Sequence, residues 1–173
     1  MPLKTASVVL VLAVALALFS AVGKAVVEDP THSNFATQVS SCAETKRYFI
    51  YNDKELTFFE AWHQCRSYGL RLAMVNSVVD DAKLKLAFAE KDFGQKEVYW
   101  IAATNIGRNG SYVWITDNKP IIYTNFLPQQ PDNYGGDEHC IEVGFGGIGT
   151  TQWNDRQCEK KSRYICELEN GGC

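Results

Sequence analysis

Several motifs that identify enzymes and metal proteins are missing from this chain of 173 residues. It has no Gly-x-Ser-x-Gly turn of a serine hydrolase and no His-Glu-x-x-His sequence of a zinc protease. No Cys-x-x-Cys pair indicates a zinc knuckle or a redox centre, and no EF-hand spacing is present. A hydrolase built on paired carboxylates would need a deep cleft, which a flat acidic loop does not supply. We therefore expect a binding protein and not an enzyme.

An excess of positive charge is also absent. The chain has 17 Lys and Arg residues against 20 Asp and Glu residues, so its formal net charge is −3 at pH 7. Surfaces that bind nucleic acid depend on basic patches that neutralise phosphates. The short cluster of Lys160, Lys161 and Arg163 is better explained as a solvated strand edge. The charge therefore argues against nucleic acid as a partner.

Long apolar runs are confined to the N-terminus. Residues 8–19 are almost entirely Val, Leu and Ala, with Lys4 before them and small residues after them up to Ala25. This pattern is typical of a secretory signal peptide, and its apolar run is shorter than the roughly 20 residues of a membrane span. A non-cleaved membrane anchor is the alternative. We predict a signal peptide at 1–25, a flexible N-terminal tail at 26–41 and one domain at 42–173, hence a secreted, extracellular protein without a membrane span.

All 6 cysteines follow the predicted cleavage site, and an exported chain folds under oxidising conditions. An even number is typical of a disulfide framework, although about 15 pairings are possible for six cysteines. We expect three disulfides among Cys42, Cys65, Cys140, Cys158, Cys166 and Cys173. The triplet Asn109-Gly110-Ser111 is an N-glycosylation sequon, which agrees with export and predicts an exposed loop. An unused sequon is the alternative.

Local signals predict two helices. The sequence Thr57-Phe58-Phe59-Glu60 is a capping box that begins the first helix, and Gly69 ends that helix. The second helix begins near Ser77 and ends by Gly94. We expect it to run through Ala82, Leu86 and Ala89, with Leu84 and Phe88 alongside.

The remaining apolar segments predict short strands. We place them at 46–52, 98–102, 112–115, 121–123, 141–143, 153 and 163–168. The four tryptophans are expected in the core, at Trp62, Trp100, Trp114 and Trp153. Two helices combined with several strands indicate an α+β domain.

The segment QQPDNYGGDEHC, residues 129–140, concentrates oxygen-bearing side chains in a loop. Long ordered loops in compact domains are usually functional. The candidate ligands are the carboxylates of Asp132, Glu138 and Asp155 and the amides of Gln130, Asn133 and Asn154. Calcium takes about 6 to 8 oxygen ligands, whereas magnesium requires a tighter octahedron and zinc prefers nitrogen and sulfur. We therefore predict a calcium site, with a hydrated acidic loop as the alternative.

The chain resembles the C-type lectin-like domain family over residues 42–169. The segments that carry the resemblance are FFEAWHQCRSYGLRLAMV, YWIAA, QPDN, EHCIEV, WNDRQC and RYICE. Each segment is weak alone, but their order and spacing together are specific. The resemblance implies a disulfide-bonded double-loop fold, in which two helices and small antiparallel sheets support a long calcium-binding loop. The chain looks most like the soluble secreted lectins of invertebrates.

The resemblance also implies a ligand set. One calcium ion would be held by residues that also bind the sugar, namely Gln130, Asp132, Glu138, Asn154 and Asp155. In the family, two neighbouring sugar hydroxyls bind the ion and hydrogen-bond its ligands, since a hydroxyl both donates and accepts. The Gln130-Pro131-Asp132 triplet, whose proline bond is often cis in the family, accompanies galactose-type ligands, whereas Glu-Pro-Asn accompanies mannose-type ligands. Tyr134 would stack on the apolar face of galactose, and a tyrosine packed on its own loop is the alternative.

Many members of the family bind a second calcium through acids in the neighbouring loop. The matching positions here are Asn105, Asn109 and Asn133, which carry no charge. We therefore expect one calcium ion in this chain.

The disulfide pairing follows from the resemblance as well. It implies Cys65 with Cys166 and Cys140 with Cys158, and the second bond would draw Asn154 and Asp155 towards the acidic loop. Cys42 and Cys173 remain. They are expected to bond to each other, because the first and last strands of the fold pair antiparallel. An intermolecular bridge, which would make a homo-oligomer, is the alternative.

The predicted function is that of a secreted calcium-dependent lectin whose partners are galactose-type glycans or glycoconjugates. The resemblance also implies a role in innate immunity, through recognition of microbial glycans. The rival function is a C-type lectin-like module that binds a protein or a surface without sugar. Such modules usually lose the calcium ligands, whereas all five ligand positions suit calcium here.

Overall fold

A computed structural model describes residues 46–90, 97–108, 110–145 and 149–168 of the chain. The predicted signal peptide and tail, the pairing of Cys42 with Cys173, and the sequon residue Asn109 all lie outside the described residues and stay predictions. No helix in the described ranges combines the length and the apolar character that crossing a membrane requires.

The described chain contains two helices and seven strands. In chain order they are β1 (Tyr48–Leu56), α1 (Phe58–Ser67), β2 (Arg71–Leu72), α2 (Val78–Ala89), β3 (Tyr99–Thr104), β4 (Val113–Trp114), β5 (Cys140–Val143), β6 (Trp153–Arg156) and β7 (Ser162–Glu167). A short 3-10 turn, Tyr134–Gly136, interrupts the long loop before β5. The predicted α+β fold with two helices is confirmed.

The strands form a single sheet. Its order is β1-β7-β3-β5-β6, with β2 added to β7 and β4 added to β3. The predicted antiparallel pairing of the first and last strands is confirmed, with Tyr48 opposite Glu167. The antiparallel parts are joined into one mixed sheet, because β3 runs parallel to β7 with Tyr99 opposite Arg163. This junction places β5 and β6 at one edge, beneath the acidic loop.

The first helix follows its local sequence closely. Thr57 accepts a hydrogen bond from the N–H of Glu60, and the Glu60 carboxylate accepts one from the N–H of Thr57 at 2.9 Å, so the predicted capping box is present. The helix buries Phe58, Ala61 and Cys65. Because Cys65 faces the core, it reaches Cys166 on β7, and the predicted Cys65–Cys166 disulfide is confirmed.

The second helix begins after Ser77 as predicted, and the apolar residues named for it from the sequence divide between two faces. Leu84 and Phe88 are buried together with Asp81. Ala82, Leu86 and Ala89 are exposed, with 64% of Leu86 accessible. Both sets fit a helical period, so the choice between them depends on packing against the sheet.

Two further predictions of secondary structure and packing differ from the structure. Residues 121–123 do not form a strand, because the pairing with β4 reduces to one isolated bridge between Val113 and Pro120. Trp100, Trp114 and Trp153 are buried as predicted, whereas Trp62 is only half-buried on α1. Strand β2 was not predicted, because a two-residue strand is too short to show alternation.

A buried ion cluster connects Lys46, which precedes β1, with residues of β2, α2 and the last strand. Glu167 is fully buried, and its carboxylate lies 2.7 Å from Nε of Arg71 and 3.1 Å from Nζ of Lys46. Lys46 also forms a salt bridge with Asp80 at 2.8 Å. Two cations and two anions therefore neutralise one another with little exposure to water, and removal of Glu167 takes from Arg71 and Lys46 the carboxylate that they share.

Glu167→Ala is expected to destabilise the oxidised protein by about 3–5 kcal/mol, because Lys46 and Arg71 keep their charges while losing a buried partner. Urea unfolding measures the loss. Lys119→Ala is the matched control, since the side chain of Lys119 is 77% exposed in its pair with Asp117. That surface pair is expected to contribute at most about 1 kcal/mol. Equal losses in the two variants would contradict the assignment.

Candidate functional site

Three carboxylates from two distant segments converge at the edge of the sheet. Asp132, Glu138 and Asp155 each offer an oxygen, and these three atoms lie within 4.8 Å of one another. Asp155 is fully buried, Glu138 is half-buried and Asp132 is exposed, so the group opens towards solvent from a buried base. We refer to these three residues as the carboxylate cluster.

The pairing of β5 with β6 brings Asp155 to the loop. The two strands are antiparallel, with Ile141 opposite Asp155 and Cys140 opposite Arg156. The Cys140–Cys158 disulfide, confirmed as predicted, closes this hairpin over a separation of 18 residues. Since Cys140 directly follows the acidic loop, the strand pairing delivers a carboxylate of β6 beneath that loop.

Backbone N–H groups of the loop fix the carboxylates. Asp155 accepts hydrogen bonds from the N–H of Asp132 at 3.1 Å and of Asn133 at 2.8 Å. The N–H of Tyr134 lies 3.1 Å from Oδ1 of Asp132 and 3.1 Å from Oε2 of Glu138. The peptide bond before Pro131 is cis, and Asn133 has a positive φ of 47°. The loop thus wraps around its own acidic side chains and around Asp155.

Gln130 joins the same group through a shared donor. Its Oε1 accepts the N–H of Asp132 at 3.1 Å, and that N–H also reaches the Asp155 carboxylate. The amide oxygen therefore lies beside the carboxylate cluster. Four of the five predicted ligand residues, Gln130, Asp132, Glu138 and Asp155, are accordingly connected by direct hydrogen bonds or close approach.

Asn154, the fifth predicted residue, is positioned by hydrogen bonds of its side-chain nitrogen. Its Nδ2 donates to the main-chain oxygen of Asp155 at 2.5 Å and approaches Oε1 of Glu142 at 3.4 Å. Glu142 is buried and also accepts from Arg156 at 2.7 Å and from Ser162 at 3.2 Å. Because the amide nitrogen is engaged, the side-chain oxygen is the atom of Asn154 left to bind a ligand.

The sequence analysis did not identify Glu142 as part of the site. The signal was present, since Glu142 is the one acid inside the otherwise apolar strand sequence CIEV. Burial raises the pKa of this carboxyl, while Arg156, Asn154 and Ser162 favour its charged form. Glu142 therefore acts as a support for Asn154 and lies in the layer beneath the carboxylate cluster.

The charge of the carboxylate cluster is not compensated by the described chain. Within residues 46–90, 97–108, 110–145 and 149–168, no lysine, arginine or histidine forms a salt bridge with any of its three members. Burial is the main cause that raises the pKa of Glu138, and the neighbouring charges of Asp155 and Asp132 add to it. Hydrogen bonding from the N–H of Tyr134 acts in the opposite direction. A concentrated set of oxygen ligands with unpaired negative charge suits a hard cation such as calcium.

Tyr134 and the neighbouring asparagines complete the surroundings. The Tyr134 side chain is 78% exposed, so its ring is accessible beside the carboxylate cluster. Asn105 and Asn133 lie at the edge of an adjacent cavity, and the described residues that line it include no carboxylate. Residue 109, the third asparagine that matches the second calcium site of the family, lies outside the described residues.

Comparison with known sequences identifies the domain. The family described as the lectin C-type domain matches residues 54–168. Salivary C-type lectin 2 of Aedes albopictus is 33% identical over 128 residues, which cover 72% of this chain and 85% of that protein. Perlucin of Haliotis laevigata is 36% identical over 113 residues, which cover 65% of this chain and 70% of that protein.

Solved structures agree with the sequence matches. The carbohydrate-recognition domain of the mouse scavenger receptor C-type lectin superposes with a TM-score of 0.60 at 28% identity, over 73% of this chain and 92% of that chain. The C-type lectin CEL-I of Cucumaria echinata superposes with a TM-score of 0.61 at 26% identity, over 73% of this chain and 91% of that chain. The chain therefore belongs to the C-type lectin domain family.

Proposed function

We propose that this protein is a secreted lectin that binds galactose-type glycans at a single calcium site formed by the acidic loop and β6. The observation that carries the proposal is the uncompensated carboxylate cluster. The other buried carboxylates among the described residues, Asp81, Glu142 and Glu167, are paired with lysine or arginine. Asp155 is equally buried, yet its only polar partners among the described residues are neutral. A bound cation would supply the missing charge.

The five residues predicted from the sequence are the proposed ligands of that cation. Asp132, Glu138 and Asp155 supply carboxylate oxygens, and Gln130 and Asn154 supply amide oxygens. This donor set is composed of oxygen alone, which favours calcium over zinc. When bound, calcium would offer open coordination positions to sugar hydroxyls. The carboxylate and amide side chains of the chain would place hydrogen-bond acceptors and donors around those positions, where they can contact the sugar hydroxyls.

The order of the loop residues supports a galactose-type ligand. Gln130 precedes Pro131 and Asp132 follows it, so an amide donor and a carboxylate acceptor stand in the reverse order from the mannose-type triplet. A sugar hydroxyl that donates to one side chain and accepts from the other is therefore selected by its orientation. The exposed ring of Tyr134 provides an aromatic surface for the C–H groups of galactose.

The wider assignment extends the same reasoning. Salivary C-type lectin 2, CEL-I and the mouse scavenger receptor domain are lectins or carbohydrate-recognition domains by name, and such domains bind sugars without catalysis. The proposed signal peptide at 1–25 places the domain at 42–173 outside the cell. Recognition of microbial glycans is the expected role of a secreted lectin of this kind. Because one such site binds weakly, useful avidity would require several copies on one surface or in one oligomer.

Removal of one buried ligand should abolish the calcium site. Asp155→Asn is expected to weaken calcium binding by at least about 100-fold, because it removes the charge at the base of the cluster while keeping the size of the side chain. Isothermal titration measures both the affinity and the stoichiometry, expected to be one ion per chain. Asp117→Asn, a change at an exposed acid outside the cluster, is the control and should leave both values unchanged. Tight binding retained in Asp155→Asn would refute the assignment of this residue.

Exchange of the loop triplet should change the sugar preference. The double variant Gln130→Glu, Asp132→Asn preserves net charge and reverses the positions of amide and carboxylate. The wild type is expected to bind immobilised galactose in calcium and to elute with chelator or galactose, less readily with mannose. The double variant is expected to shift towards mannose, because donor and acceptor are exchanged.

Two results would separate the parts of this proposal. Calcium binding without retention on galactose would preserve the metal site and reject the galactose assignment. Absence of both calcium binding and retention would favour the rival function, a module that binds a protein or a surface without sugar.

Acidification should release calcium at a higher pH than an ordinary carboxylate site would. Protons compete with the metal for ligand oxygens, and the pKa of Glu138 is raised chiefly by burial. Calcium affinity is therefore expected to be highest well above the pKa of Glu138, where this carboxyl is ionised. It should fall as the pH decreases through that pKa. Calcium titrations at about pH 7, 6 and 5 test this trend. Affinity that stays constant over this range would contradict it, and Glu138→Gln should flatten the pH dependence.

A further inference from the structure

A second, uncharged cavity adjoins the carboxylate cluster. It has a volume of about 360 Å³ and is lined by Asn105, Ile106, Gly107, Gly110, Asn133 and His139. We call it the 105–139 cavity. Its size falls within the roughly 300–1,000 Å³ of small-molecule pockets, near the lower end. None of these six described lining residues is a lysine, an arginine or an acid, which favours a small neutral molecule.

The cavity and the cluster share one structural element. Asn133 lines the cavity, while its N–H donates to the Asp155 carboxylate at 2.8 Å and its Oδ1 accepts the N–H of Glu138 at 2.9 Å. His139 lines the cavity as well and directly follows Glu138 in the chain. A molecule held at the carboxylate cluster would therefore lie close to the cavity, because Asn133 takes part in both.

The walls of the cavity are held in place by β3 and β5. The main-chain oxygen of His139 accepts the Oγ1–H of Thr104 at 2.8 Å and the N–H of Asn105 at 3.0 Å. The ring of His139 is joined to Asn105 through Nδ1 and Oδ1 at 2.9 Å. The turn at 105–108 is thus anchored to the strand that follows the acidic loop. The cavity does not depend on side chains that must first become ordered.

Its chemistry matches a sugar ring. Nδ1 of His139 lies 2.9 Å from Oδ1 of Asn105, and in the neutral tautomer that donates from Nδ1 the imidazole Nε2 is an acceptor. The amide nitrogens of Asn105 and Asn133 are left as donors, since no hydrogen bond between described residues uses them. The Ile106 side chain is 44% exposed and adds an apolar surface. Hydroxyls that donate and accept, together with apolar C–H groups, are the features of an uncharged sugar.

We propose that the 105–139 cavity is a subsite for a second, neutral sugar ring of a glycan whose terminal galactose is held at the carboxylate cluster. This inference rests on the proposed function, and it narrows the ligand from a monosaccharide to an oligosaccharide. Gly107 and Gly110 line the cavity without side chains, and both adopt positive φ. The subsite would favour galactose joined to a further uncharged ring over galactose alone.

The test compares a monosaccharide with disaccharides on chain produced without N-glycans, so that the sequon at Asn109 carries no sugar. Methyl galactoside is titrated in calcium against a set of neutral galactose-terminated disaccharides that differ in linkage. At least one linkage is expected to bind about tenfold more tightly, the gain that burial of ~50 Å² of apolar surface provides. Ile106→Ser should remove that gain and leave the affinity for methyl galactoside unchanged.

Ile122→Ser is the matched control, because Ile122 is an isoleucine with 88% exposure that lines a different cavity. It should preserve the preference for the disaccharide. The methyl resonances of Ile106 should also shift in NMR spectra with the favoured disaccharide and not with methyl galactoside.

The outcomes separate the two proposals. Methyl galactoside binding without any disaccharide advantage, or an advantage that survives Ile106→Ser, would overturn the subsite and leave the proposed function intact. Failure to bind methyl galactoside or any disaccharide in calcium would overturn both.

Discussion

Mutual repulsion among three carboxylates is the constraint on which the site depends. At a separation of about 5 Å and an effective dielectric of about 20, each ionised pair would repel by roughly 3 kcal/mol. The chain brings Asp132, Glu138 and Asp155 together with several oriented N–H donors, a strand pairing and a disulfide that closes the hairpin. These features hold the oxygens in place but supply no full positive charge. The proposed calcium ion would supply that charge from outside the chain.

Two other buried acids of the protein, unlike the carboxylate cluster, have cationic partners within the fold. Glu167 lies between Lys46 and Arg71, and Glu142 is paired with Arg156, so each is neutralised within the fold. These acids connect elements of the sheet, and Glu142 also engages the amide of Asn154. The contrast separates structural from functional carboxylates on physical grounds. A buried acid with an internal cation is already neutralised, and the pair is costly to break, whereas a group of acids without one is available for a ligand.

Local signals predicted the parts of the fold that depend on neighbouring residues. The capping box at Thr57 defined the start of α1, because both of its hydrogen bonds join residues only three apart. The sequence did not decide which face of α2 is buried, since Leu86 and Leu84 both fit a helical period and only contact with the sheet distinguishes them. The pairing of β3 with β7, which turns the antiparallel parts into one mixed sheet, left no trace in local alternation.

The sequence by itself determined which atoms are available: the carboxylates and amides of the loop, the cysteines, and the order of Gln130 and Asp132 around Pro131. Its resemblance to a known family indicated which of them meet. The tertiary structure decided their arrangement. Asp132 and Asp155 lie 23 residues apart in sequence and touch only because β5 pairs with β6 in one register. The contact between Glu142 and Asn154 and the cavity beside Asn133 also join segments that are distant in sequence. Local residue patterns do not encode such contacts.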